Sequence, residues 1–159
     1  MNHNKKINWL LLVICIGLPL AVGGLSALLT RNSMKDFAIL NQPPLAPPGW
    51  LFPIVWTILF VLMGIASYLV LQAENPYGKS LALGFYLAQL FFNFCWSIIF
   101  FNLKAYLAAL LWLVVLWFLI LITAFLFYQK SKAAGLLLTP YLLWVFFAGY
   151  LNLGIYLLN

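Results

Sequence analysis

Three sets of residues repeat one theme at helical spacing. Gln89, Asn93, Trp96 and Phe100 fall at offsets 0, 4, 7 and 11, which at about 100° per residue keeps them within about 60° of arc on one helix face. Tyr141, Trp144, Ala148 and Asn152 follow at offsets 0, 3, 7 and 11, and Trp56, Phe60, Met63 and Ser67 at 0, 4, 7 and 11. These side chains offer ring faces, indole and amide donors and amide acceptors. None is a general acid or base of ordinary pKa, so the chemistry they suit is stacking and neutral hydrogen bonding. An Asn inside hydrocarbon must face protein, yet Asn93 and Asn152 equally fit a plain packing role, each contact contributing on the order of 0.6 kcal/mol. In a chain that is 18% aromatic, some rings will also join any stripe by chance.

The elements that position these stripes are five apolar runs: 7–29, 50–71, 80–101, 105–128 and 133–158. Each meets the roughly 20 residues needed to cross a hydrocarbon layer of about 30 Å. Lipid offers no partner to a bare N–H or C=O, and the runs lack the alternating polarity of barrel strands, so helices are predicted. The fold class is all-α: a polytopic membrane protein, one bundle of five transmembrane helices forming a single domain over residues 1–159. Trp9 and Trp50 lie at span ends, where indoles anchor to the interface. Trp56, Trp96, Trp117 and Trp144 lie within the spans.

All ten Lys, Arg, Asp and Glu residues fall outside the runs. The net charge of +6 would suggest nucleic acid in a soluble chain, but here the cations are scattered between spans and no nucleic-acid partner is expected. Lys5, Lys6, Lys79, Lys130 and Lys132 lie on the amino-terminal side against Arg31, Lys35 and Lys104 on the other. This asymmetry places the amino terminus inside. The first run is too long for a typical signal-peptide core and is read as a retained helix; with no transit peptide in view, a bacterial cytoplasmic membrane is expected. Cys15 and Cys95 are mid-span core fillers with neither a disulfide nor a metal spacing, no metal site is expected, and His3 needs no role.

The long connection, 30–49, carries Pro43, Pro44, Pro47 and Pro48. Repeated proline fixes φ and predicts a stiff, extended segment, read as a semi-rigid lid at the membrane mouth; a plain spacer and a PxxP ligand are the alternatives. Small residues at Gly17 and Ala21, Gly23 and Ala27, and Gly84 and Ala88 permit close helix approach. The first helix is expected inside the bundle, and Gly84 with Ala88 is expected to form a homodimer face on the third.

The run Pro47-Pro48-Gly49-Trp50-Leu51-Phe52-Pro53-Ile54-Val55-Trp56-Thr57 resembles the translocator protein family, also called the tryptophan-rich sensory protein or peripheral-type benzodiazepine receptor family. So do Met63-Gly64, Gln89-Leu90 with Asn93, Trp96, Phe100 and Phe101, and Pro140-Tyr141-Leu142-Leu143-Trp144 with Ala148, Leu151 and Asn152. The pieces occur in order from the loop onward, and as a set they are specific. The resemblance implies a five-helix protein, usually dimeric, whose pocket binds porphyrins, haem and synthetic isoquinoline carboxamide and benzodiazepine ligands. Its pocket tryptophans match Trp56 and Trp144, and its ligand-lining Ala and Asn match Ala148 and Asn152. Two features depart from the family pattern: Asp36-Phe37 replaces an early Trp-Tyr pair, and Leu45 replaces a Trp. The chain also ends Tyr156-Leu157-Leu158-Asn159, without the Lys or Arg of the carboxy-terminal cholesterol consensus.

The expected function is therefore a receptor, sensor or carrier for tetrapyrroles, with the partners being a small lipophilic ligand, membrane lipid and a second copy of the chain. No cofactor is required; protoporphyrin or haem would be ligand. Arg31, Lys35 or exposed N–H groups near the mouth would meet its propionates. The alternative is light- and oxygen-dependent porphyrin breakdown, in which Trp56 and Trp144 would be the redox groups and no other catalytic residue is assigned. Ion-coupled transport is disfavoured because the spans hold no carboxylate.

Overall fold

The computed structural model describes residues 6–159. Lys5 and His3 lie outside the described residues. Among these, five helical stretches are long and apolar enough to cross a membrane: Trp9–Thr30, Leu51–Gln72, Lys79–Asn102, Tyr106–Lys130 and Lys132–Leu158. The protein is all-α and integral to a membrane.

Helix α1 (Trp9–Thr30) starts where the Asn8 side chain accepts the Leu11 N–H at 3.1 Å, satisfying one of the donors a helix start leaves free. Arg31 and Asn32 stay near helical geometry and lead into α2 (Ser33–Phe37), a short helix within the 30–49 connection. The segment expected to be a stiff, extended lid is thus a short helix followed by a proline loop. Helix α3 (Leu51–Gln72) follows the prolines. Helix α4 (Lys79–Ser97) begins after Gly78, whose φ of 70° lies in the left-handed region that favours glycine. It ends in a π-helical turn, Ile98–Asn102, closed by Leu103 N–H on the Ile98 carbonyl at 3.0 Å.

After α5 (Tyr106–Lys130), the fifth apolar run is two helices, α6 (Lys132–Leu137) and α7 (Thr139–Leu158). Pro140 explains the break: it has no N–H to continue the ladder of α6 but suits the first turn of a new helix. Other helix ends move by a residue or two from the sequence boundaries.

The helices close a ring in which α1 packs on α3 and α4, α4 on α5, α5 on α6 and α7, and α6 on α3. Helices α3 and α7 scarcely meet. The half of the bundle around α6 is solid: Met63, Ala66, Val70, Tyr86, Ile120, Phe127, Ala134 and Leu138 are almost wholly buried. Gly64 brings α3 close to the backbone of α1: an added Cβ would fall 2.4 Å from the Ile16 Cα. The expectation that α1 lies inside the bundle is not met. Only Cys15, Pro19, Ser26 and Thr30 of α1 are buried, because its small residues are spread around the helix and Gly17 and Gly24 face open space.

Candidate functional site

Where α3 and α7 diverge, the ring encloses a cavity of about 490 Å³. Its walls come from the mouth-side halves of α1, α3, α4 and α7, with α2 and the proline loop beside the opening. The stripe residues other than Met63 and Ser67 are the ten expected to bind ligand, and of these Trp56, Phe60, Asn93, Trp96, Phe100, Trp144, Ala148 and Asn152 line it. Gln89 and Tyr141 do not; they form the layer beneath.

That layer is a connected polar chain. Asn93 Nδ2 donates to Tyr141 Oη at 2.8 Å, the Tyr141 hydroxyl donates to Gln89 Oε1 at 2.8 Å, and Gln89 Nε2 approaches Met63 Sδ at 3.8 Å. All four residues are buried, so each amide finds within the protein the partner that hydrocarbon denies it. A second link fixes the wall above. Trp96 Nε1 donates to Asn152 Oδ1 at 3.3 Å, and Asn152 Nδ2 donates to the Tyr106 carbonyl at 2.8 Å. Both Asn residues therefore hold helices together while presenting to the cavity, and the packing and lining roles coexist.

The rings form one continuous wall. Trp56 stacks on Phe60 with centroids 5.6 Å apart and lies 6.4 Å from Trp96, which stacks on Phe100 at 5.3 Å. Trp144 belongs to another wall, edge-on to Phe52 at 5.9 Å. The Trp144 indole nitrogen is buried and has no hydrogen-bond partner among the described residues. None of the described lining residues is charged.

Several lining residues escaped the sequence reading. Phe101 joins Phe100 in the wall because the π turn closes a wider ring than an α turn and changes the angle between successive side chains. Phe37 of α2 packs on Phe100 at 5.8 Å and on Phe101 at 5.6 Å, a contact hidden by the assumption that 30–49 is extended. From α1 come Gly23, Ser26 and Thr30. An added Cβ at Gly23 would fall 2.2 Å from the Phe60 ring, so the bare backbone is what admits that ring.

Helix α2 is tied to the far side of the opening. Lys104 Nζ meets Asp36 Oδ2 at 2.8 Å, Ser33 Oγ donates to Asn102 Oδ1 at 2.8 Å, and Asn102 Nδ2 donates to the Leu29 carbonyl at 3.2 Å. The hydrogen bond and charge of Asp36 push the Lys104 pKa up. Among the lid prolines, Pro47 lines the cavity, Pro43 packs against Gly154, and the Pro44 and Pro48 carbonyls accept from the Tyr150 hydroxyl and the Leu51 N–H. Gly84 is exposed, Ala88 half-buried.

Five membrane-crossing helices around an aromatic, uncharged internal chamber define a polytopic membrane protein built on a helix bundle. A family model for the TspO/MBR family matches residues 15–158, and the chain belongs to that family. It is 44% identical over 160 residues to the tryptophan-rich protein TspO of Chlorobaculum tepidum, with 98% of this chain and 99% of the relative covered. It is 38% identical to the tryptophan-rich sensory protein of Cereibacter sphaeroides, covering 100% and 95%, and 36% identical to the translocator protein of Bos taurus, covering 85% and 82%.

Proposed function

We propose that the chamber is the binding site of a membrane receptor or sensor for flat, conjugated, largely apolar ligands, with tetrapyrroles such as protoporphyrin and haem as the leading class. Isoquinoline carboxamide and benzodiazepine ligands fit the same description. The observation that carries this is the cavity of about 490 Å³, walled by Trp56, Trp96, Phe100 and Phe52, with no charged residue among its described lining. Cavities of this size suit small molecules, ring stacking favours a planar one, and an uncharged lining favours a largely apolar one. The protein works on this reading as a homodimer through α4, in a bacterial cytoplasmic membrane, with its amino terminus inside.

A second reading, light-dependent porphyrin breakdown, is favoured only by Trp56 and Trp144 both reaching the chamber. One titration separates the two. Purified protein is titrated with protoporphyrin in the dark and then illuminated, beside Trp144→Phe. Saturable Trp quenching without new absorbing products supports binding alone. Products that form under light in the wild type and fail in Trp144→Phe, with binding retained, support catalysis. No saturable quenching overturns both.

A further inference from the structure

The proline loop does not simply cover the mouth. Asn41 and Asn159 pair reciprocally, the Asn41 N–H donating to Asn159 Oδ1 at 3.0 Å and Asn159 Nδ2 donating to the Asn41 carbonyl at 2.9 Å. Then the loop descends. Pro43 presses on Gly154, where an added Cβ would fall 2.4 Å from the proline Cβ, and the Tyr150 hydroxyl donates to the Pro44 carbonyl at 2.6 Å. Gly154 precedes Asn159 by five residues, so at about 1.5 Å rise per residue the loop reaches some 7 Å down the flank of α7. Leu45 follows, 83% exposed and with φ at 67°, a left-handed conformation unusual for a bulky side chain. The Ala46 N–H returns to the Pro43 carbonyl at 3.2 Å, and Pro47 then lines the chamber. The segment is a wedge, with one side in the chamber and Leu45 outside.

Below the wedge, the same seam between α3 and α7 carries an outer groove of about 380 Å³, formed by Val55, Ile58, Leu143, Phe147 and Trp144 among others. Every lining side chain is apolar and lies in a membrane-crossing helix, so the groove faces hydrocarbon. Trp144 lines both the groove and the inner chamber. Phe147 in turn stacks on Tyr150 at 6.0 Å, linking the groove to the latch on Pro44.

We infer that the Pro43–Pro47 wedge is a side door facing the bilayer, with Leu45 in contact with lipid, and that the chamber exchanges its ligand with the hydrocarbon through the α3–α7 seam, past Trp144. The ligand half of this rests on the function proposed above. A lipophilic ligand concentrates in the bilayer first, and this route spares it a return to water.

Two measurements test it. In a Cys15→Ala, Cys95→Ala background, a spin label on Leu45→Cys in liposomes is expected to be relaxed more by oxygen than by a water-soluble nickel chelate, and one on Lys35→Cys the reverse. Nickel-dominated relaxation at position 45 overturns the side door. In stopped-flow with protoporphyrin-loaded liposomes, Tyr150→Phe frees the latch and is expected to speed uptake and release alike by about fivefold, leaving Kd within twofold. Leu143→Trp, which fills the groove without touching the chamber, should slow both. Unchanged rates in both variants overturn loading through the seam. Should wild-type protein bind no protoporphyrin, the ligand assignment falls and the spin labels alone decide the door.

Discussion

Tyr141 and Ala148 lie two turns apart on α7 and meet different demands. The Tyr141 hydroxyl joins Asn93 to Gln89 below the chamber, so Tyr141→Phe strands two buried amides. In a membrane such bonds average about 0.6 kcal/mol and reach about 1.7, and the expected result is a lower melting temperature with ligand affinity within twofold. Ala148 lines the chamber and is 7% exposed. Ala148→Leu fills the slot and is expected to cost about tenfold in affinity with little change in melting, because overpacking falls on the ligand. Leu111→Ala, on the outer face of α5, is the control that should change neither. Phe37 and Asp36 give a second contrast. The Asp36–Lys104 pair is exposed on both sides and such pairs hold little, whereas Phe37 packs on Phe52, Phe100 and Phe101. Asp36→Asn should leave affinity within twofold and Phe37→Ala should lower it about tenfold, read by the same Trp quenching titration.

At the scale of elements, the five spans were legible because uninterrupted apolar runs leave the backbone one choice, and three stripes were legible because helical phase follows from residue number alone. The polar-aromatic stripes placed eight of their twelve members in the cavity wall but could not fix its depth: Gln89, Tyr141, Met63 and Ser67 sit on the same faces, nearer the packed core. Departures from regular geometry were illegible. The π turn at Ile98–Asn102, the short α2 and the break before α7 each depend on tertiary partners, though Pro140 was a visible cue for the last. Nor could pattern tell which small residues meet a neighbour. Gly64 does, against Ile16, while an added Cβ at Gly84 meets nothing within 4 Å. A side chain at Gly84 therefore leaves the monomer undisturbed, so Gly84→Leu separates folding from assembly. If the proposed homodimer forms through α4, it is expected to reduce the dimer fraction in detergent, measured by light scattering, with helicity unchanged; an unaltered dimer would move that face elsewhere, and a monomeric wild type would overturn the dimer itself.

The whole molecule has two unlike halves. Around the mouth the helices part and aromatic side chains stand around open space; towards α6 they interlock, with Met63, Gln89, Tyr141 and Leu138 each at or below 1% exposure. Opening the second half would expose the Asn93–Tyr141–Gln89 chain and a close-packed core at once, a cost without compensation in lipid. The architecture is a cul-de-sac. Whatever occupies it departs from the half of the bilayer it came from, so in proteoliposomes the protein should equilibrate porphyrin with one leaflet and not raise its flux from lumen to bath. On the function proposed above, occupancy, rather than displacement across the membrane, is then the quantity such a bundle would register.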